Sequence, residues 1–144
     1  MAYLRLIRIF KCALFSTLFI FIGGEIMAQT TKETLTKKEK KIFDAAKTFA
    51  KSGELDKSND KFLKLLSAKP DFTEAYLRLA SNYYQQKFYL PAEENFKKAI
   101  NLQPDFDPEM YYSLAMVQTE LKKHAEAADQ LDTYIIKAKD KPEK

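Results

Sequence analysis

Apolar and polar residues alternate with a helical period through the middle of the chain. Tyr76, Leu79, Ala80 and Tyr83 fall at i, i+3, i+4 and i+7, and Ala92, Phe96, Ala99 and Ile100 keep that period after a break at Lys87 to Pro91. Such spacing puts each set along one stripe of an α-helix, so the segment predicts two amphipathic helices joined by a short turn. Sliding the chain against itself shows that the hairpin recurs. Ala46, Phe62 and Pro70 return 34 residues later as Ala80, Phe96 and Pro104, and Leu79, Ala80 and Ala92 return 35 residues later as Leu114, Ala115 and Ala127. The units are residues 40–72, 73–107 and 108–139, with one residue inserted in the connection "PDFDPE".

Boundary signals agree with this division. "TKKE" at Thr36 to Glu39 and "DFTE" at Asp71 to Glu74 have the form of capping boxes, in which two side chains satisfy free amides at a helix start. Pro91 and Pro108 stand where a first-turn proline costs nothing, because that amide has no partner in any case. Gly53 suits a left-handed helix end in "KSGELD". Ala46 with Ser58, Ala80 with Ala92, and Ala115 with Ala127 occupy matching places on paired helices, and small side chains there let two backbones approach to about 8 Å. Phe62, Phe96 and Leu131 are expected to fill the space between hairpins.

At 144 residues, with 46% hydrophobic and 31% charged residues, the chain has the size and composition of one folded domain. Residues 1–28 read as a secretory signal peptide: Arg5, Arg8 and Lys11, then the apolar run "CALFSTLFIFI", then small residues before Gln29; the rival is an uncleaved membrane anchor over Leu4 to Ile22, which three cations interrupt. Residues 29–39 form a lead-in and 140–144 a polar tail. Cys12 is the sole cysteine and lies within the leader, so the mature chain would hold no disulfide, no thiolate metal site and no lipid on sulfur. Cleavage removes three basic residues and one acid, leaving 21 basic and 19 acidic residues, a net of +2. That balance argues against nucleic acid as a partner, and no membrane span remains after cleavage. The basic run at Thr36 to Lys41 reads as a solvated helical turn.

The repeated residues resemble the tetratricopeptide repeat. Each unit carries an apolar or aromatic residue (Ile42, Tyr76, Tyr111), then Ala45-Ala46, Leu79-Ala80 or Leu114-Ala115, then Ser58, Ala92 or Ala127, then Phe62, Phe96 or Leu131, with Pro70 and Pro104 closing the first two. Departures are Ser58, Ala45, Tyr134 at the place of Ala99, and Pro142 beyond the place of a closing proline. The resemblance implies an all-α fold, a right-handed superhelix of about three helix-turn-helix repeats whose first helices line a concave groove for a partner peptide or helix. By the same resemblance the groove positions are Phe43, Lys47, Leu77, Ser81, Tyr84, Tyr112, Met116 and Glu120. The basic and asparagine residues with which some members clamp a terminal carboxylate are missing from the matching places, where Lys47 and Arg78 stand alone, so a receptor for chaperone tails is not expected. A leader ending in "MAQ" followed at once by such repeats is similar to the leading segment of Bacteroidota envelope proteins that continue into a β-propeller and a domain related to outer membrane protein A. An exported chain, periplasmic or associated with the outer membrane, is therefore expected.

Catalytic chemistry finds little support. His124 is the only histidine, in the turn "KKHAE", so neither a histidine relay nor a multi-histidine metal site can be assembled within one chain. Glu93 and Glu94 read as surface carboxylates on different parts of a helix, and Asp105, Asp107 and Glu109 lack the glycine and distal glutamate of a calcium loop. No catalytic, cofactor or metal site is predicted. The last hairpin has no polar helix to cover its apolar face, so a protein partner, self-association of a second copy, or further residues of a larger protein should do so. Two readings follow: an interaction scaffold that uses the groove, and a structural stalk or module that docks through its end. The alanine pairing makes a direct prediction: Ala80→Leu or Ala92→Leu should cost about 1–3 kcal/mol by overpacking, read as a lower melting temperature, and a melt that matches the parent refutes the pairing.

Overall fold

The computed structural model describes residues 34–139. The expected leader at 1–28, part of the lead-in and the tail at 140–144 lie outside them. The described residues form six helices and no strand: α1 Lys37–Lys51, α2 Leu55–Ala68, α3 Thr73–Gln85, α4 Tyr89–Leu102, α5 Glu109–Glu120 and α6 His124–Lys139. Consecutive helices pair as hairpins (α1 with α2, α3 with α4, α5 with α6), and the hairpins stack through α2 on α3 and α4 on α5. The result is the expected right-handed superhelix of helix-turn-helix repeats.

Helix α1 begins within the expected lead-in because Thr36 and Glu39 make the capping box. The Thr36 amide donates to Glu39 Oε2 at 2.8 Å and the Glu39 amide donates to Thr36 Oγ1 at 3.3 Å. No such box forms at Asp71 to Glu74. The N-cap of α3 is Phe72, without a side-chain cap, and its buried ring meets Phe43 at 5.3 Å, so aromatic packing sets that entry. Pro91 is the third residue of α4, whereas Pro108 is the N-cap of α5, just outside the expected first turn. His124 is the exposed first residue of α6, not a turn residue.

All three hairpin turns share one backbone device. Gly53, Lys87 and Lys122 adopt φ of 79°, 62° and 60°. In each turn the next amide reaches back five residues, Glu54 to Phe49 O, Phe88 to Tyr83 O and Lys123 to Gln118 O, at 2.8–2.9 Å. This is the left-handed helix stop that satisfies carbonyls at a helix end. Only Gly53 announces it in the sequence.

Ala46, Ser58, Ala80, Ala92, Ala115 and Ala127 are all buried, as close helix crossings require. Phe62 and Phe96 are buried between hairpins, but Leu131 is 37% exposed, because among the described residues no helix packs against that side of α6. Successive repeats are also tied by polar groups. Tyr76 Oη donates to Pro70 O at 3.2 Å, and its counterpart Tyr111 Oη donates to Pro104 O at 3.0 Å. Between the first two hairpins Asn82 Nδ2 donates to Ser58 Oγ and Asn59 Oδ1 at 2.8 and 2.9 Å. Between the second and third the link is ionic. Glu93 is only 4% exposed, contrary to its reading as a surface carboxylate, and accepts from Lys97 at 2.7 Å and from Lys123 at 2.6 Å. Burial pushes its carboxyl pKa up, but the two ammonium groups and Gln118 outweigh that and hold it below the ordinary glutamate value.

Two predictions follow from the turns and from this carboxylate. A Cβ on Gly53 would meet nothing within 4 Å, so Gly53→Ala should cost about 1 kcal/mol from backbone strain alone, and Lys87→Gly should raise the melting temperature. A loss from Gly53→Ala no larger than that of an exposed mid-helix alanine change would contradict the strain. For Glu93, the unfolded chain takes up the proton first on acidification. Its contribution is therefore complete above the unfolded value of about 4.3 and is lost as pH falls through the lower folded value. Unfolding curves between about pH 6 and 3 should show the parent losing more stability than Glu93→Gln, which starts lower and varies less.

Candidate partner-binding groove

The first helix of each hairpin contributes to a concave surface with two adjoining hollows. One, of about 290 Å³, is lined by Ser81, Tyr84 and Gln85 of α3, Phe96 of α4, and Tyr112, Ser113 and Met116 of α5. The other, of about 220 Å³, is lined by Lys47, Ala50 and Lys51 of α1 with Arg78, Ser81, Asn82 and Gln85 of α3. Ser81 and Gln85 belong to both, so the hollows share a wall on α3 and read as one groove. Ser81 and Gln85 are four apart, and Lys47 and Lys51 likewise, which puts each pair on one helix face.

The two hollows differ in chemistry. Tyr112 is 42% exposed and Met116 is also exposed, so the larger offers aromatic and thioether surface to a visitor. Its aromatic walls are buttressed: Tyr84 lies 5.8 Å from Tyr89, and Tyr112 lies 5.5 Å from Tyr134. Tyr134 Oη donates to Glu109 Oε1 at 3.0 Å, and that hydrogen bond and charge raise the phenol pKa, as burial and Glu120 do for Tyr89. Both phenols therefore stay protonated as donors. The smaller hollow is cationic. Lys47 lies over the Phe43 ring at 5.2 Å, Arg78 is held by Glu74 at 2.8 Å, and Lys51 stands exposed at the rim.

Of the eight positions read from the sequence, Lys47, Ser81, Tyr84, Tyr112 and Met116 line these hollows. Three do not. Phe43 is 6% exposed and packs edge-on against Phe62 at 5.9 Å and Phe72, so it belongs to the core and supports Lys47 from beneath. Leu77 packs between the second and third hairpins. Glu120 is tied to Tyr89 and lines neither hollow. Outside the eight expected positions, Ala50, Lys51, Arg78, Asn82, Gln85, Phe96 and Ser113 also line the hollows. Lys51 and Gln85 were accessible through the four-residue spacing from Lys47 and Ser81; Phe96 was hidden because the same ring fills the core.

A family model of the tetratricopeptide repeat matches residues 73–106, which is the second hairpin. Among curated proteins no match was found. Several solved structures share the fold. A chain of the CopN–Scc3 complex superposes with a TM-score of 0.71 at 19% identity, over 76% of this chain and 64% of that one, so this chain spans less than two thirds of it. The first tetratricopeptide domain of Spaghetti (RPAP3), bound to the HSP90 peptide SRMEEVD, gives 0.67 at 20% identity over 74% and 83%. The TPR2B domain of yeast Sti1, in complex with pHsp70, gives 0.67 at 20% identity over 71% and 81%. The second hairpin is thus a tetratricopeptide repeat by sequence, and the described residues have the fold of such repeat proteins.

Proposed function

We propose that this tetratricopeptide-repeat chain is a non-enzymatic interaction scaffold of the cell envelope that takes a peptide or helix of a partner protein along the concave groove. The observation that carries this reading is the larger hollow, where Tyr84, Tyr112 and Met116 offer apolar surface in a space the size of one or two side chains. Concave, mostly apolar sites with a few placed polar groups are what ligand recognition uses. The cationic hollow beside it, with Lys47, Lys51 and Arg78, favours an acidic residue one step along the same segment. Two of the solved structures with this fold hold peptide or chaperone partners, which supports the same use of the surface here. The envelope location is inferred from the leader at residues 1–28, and the kinship with β-propeller envelope proteins from that leader together with the repeats that follow it.

A second reading, a module that docks through its end, is favoured by the exposed apolar residues of α6, Leu131, Ile135 and Ile136. The two separate cleanly. Tyr84→Ala/Tyr112→Ala should leave the melting temperature within a few degrees of the parent yet weaken a partner retained by the parent at least tenfold in titration calorimetry. Partner binding unchanged by this double variant overturns the groove reading. Export is checked by fractionation and by the mass of the mature protein, with an N-terminus at Gln29 as the expected result.

A further inference from the structure

The groove crosses α1, α3 and α5 in that order, and the charge of these three helices falls along it. Within its bounds α1 carries six lysines against Glu39 and Asp44, a net of +4; α3 carries Arg78 against Glu74, a net of zero; α5 carries Glu109 and Glu120 with no base, a net of −2. The fall is repeated at one place of the repeat. Lys51, Gln85 and Glu120 stand 34 and 35 residues apart, the spacing of the repeat, so the same position on three successive helices reads cation, neutral amide, anion. Lys47, Ser81 and Met116 form the neighbouring row one turn earlier, cation, hydroxyl, thioether.

Ion pairs within the chain do not cancel this gradient. Lys40 is matched by Asp44 at 3.4 Å and Arg78 by Glu74 at 2.8 Å, each on its own helix. Lys47 and Lys51 meet no carboxylate among the described residues, and Lys47 rests on the Phe43 ring, which leaves its charge whole. At the far end the partners are neutral phenols. Tyr134 donates to Glu109 at 3.0 Å, and Glu120 is hydrogen-bonded to Tyr89, whose ring lies 5.8 Å from that of Tyr84 in the wall of the larger hollow. A phenol fills a carboxylate lone pair without neutralising the charge.

We propose that the segment taken by the groove is acidic at one end, apolar in the middle and basic at the other, and that it lies with its acidic end on α1 and its basic end against α5. This rests on the groove reading and adds an order to it. Lys47 and Lys51 meet the acidic end, Tyr84, Tyr112 and Met116 hold the middle, and Glu120 meets the basic end. The reverse arrangement sets like charges together at both ends, and a segment of one sign throughout gains at one end what it loses at the other. The charges at both ends lie at the surface, so each contact is modest and is weakened by salt.

Random short peptides displayed on phage and selected on the whole protein at low salt test this. Peptides retained by the parent and lost on Tyr84→Ala/Tyr112→Ala should carry acidic and basic residues on opposite sides of an aromatic or aliphatic one. One of them, remade with lysine for its acids or with glutamate for its bases, should bind about threefold more weakly in either form by fluorescence anisotropy. Lys51→Glu should then prefer the wholly basic form and Glu120→Lys the wholly acidic form, a crossed preference that loss of folding cannot produce, and it should shrink at high salt. Selected peptides without such an order, or one ranking of the three forms on all three proteins, overturn this proposal and leave the groove reading standing. Peptides that survive Tyr84→Ala/Tyr112→Ala, or no peptide retained at all, overturn both.

Discussion

Close approach of the two helices within each hairpin is the constraint on which everything else rests. Ala46 and Ser58, Ala80 and Ala92, and Ala115 and Ala127, the small residues that the repeat places opposite one another, are all buried, as backbones separated by no more than a methyl or hydroxymethyl group require. With the crossing that tight, the larger residues on either side fall into fixed places. Phe62 and Phe96 turn outward to meet the next hairpin, while Tyr84, Tyr112 and Met116 are left on the concave side. The groove is therefore a by-product of small residues elsewhere, since its shape is set by how the hairpins close and stack.

Stacking is reinforced by polar groups whose identity changes along the array. Buried amides and a hydroxyl join the first two hairpins, with Gln86 donating to the exposed Asp56 carboxylate beside them, whereas the second and third are joined by the buried Glu93 carboxylate, which Lys97 of its own helix and Lys123 of the next hairpin both reach. Buried polar groups of either kind must be fully partnered, so each link also fixes the register of its neighbours. The tyrosine to proline-carbonyl bonds at Tyr76 and Tyr111 do the same for the connections, and the inserted residue near Asp105 leaves that bond intact.

Much of this was legible in the residues because repetition supplies its own control: a pattern that recurs three times cannot easily be a chance alternation. The hairpins, the alanine crossings, the Thr36 cap and the left-handed Gly53 were all readable. What escaped depended on neighbours distant in sequence. Phe43 sits one position from Ile42 on the same apolar side of α1, and only the arrival of Phe72 decides that its ring turns inward. Glu93 looks like Glu94 until Lys123, thirty residues on, swings over it. Lys87 and Lys122 gave no sign of a left-handed turn, because the helix stop is imposed by the hairpin around them and lysine tolerates it at a cost. Leu131 has the right residue type for a core position and lacks the neighbour.

Among the described residues the contacts run mainly within and between adjacent hairpins, so the middle one is held on both sides and the outer two on one. Opening should begin at the ends, with amide protons of α3 and α4 the slowest to exchange with solvent. A ligand bridging α1, α3 and α5 would then act as a splint, and much of its effect would appear as slowed exchange in the outer helices, away from the atoms it touches.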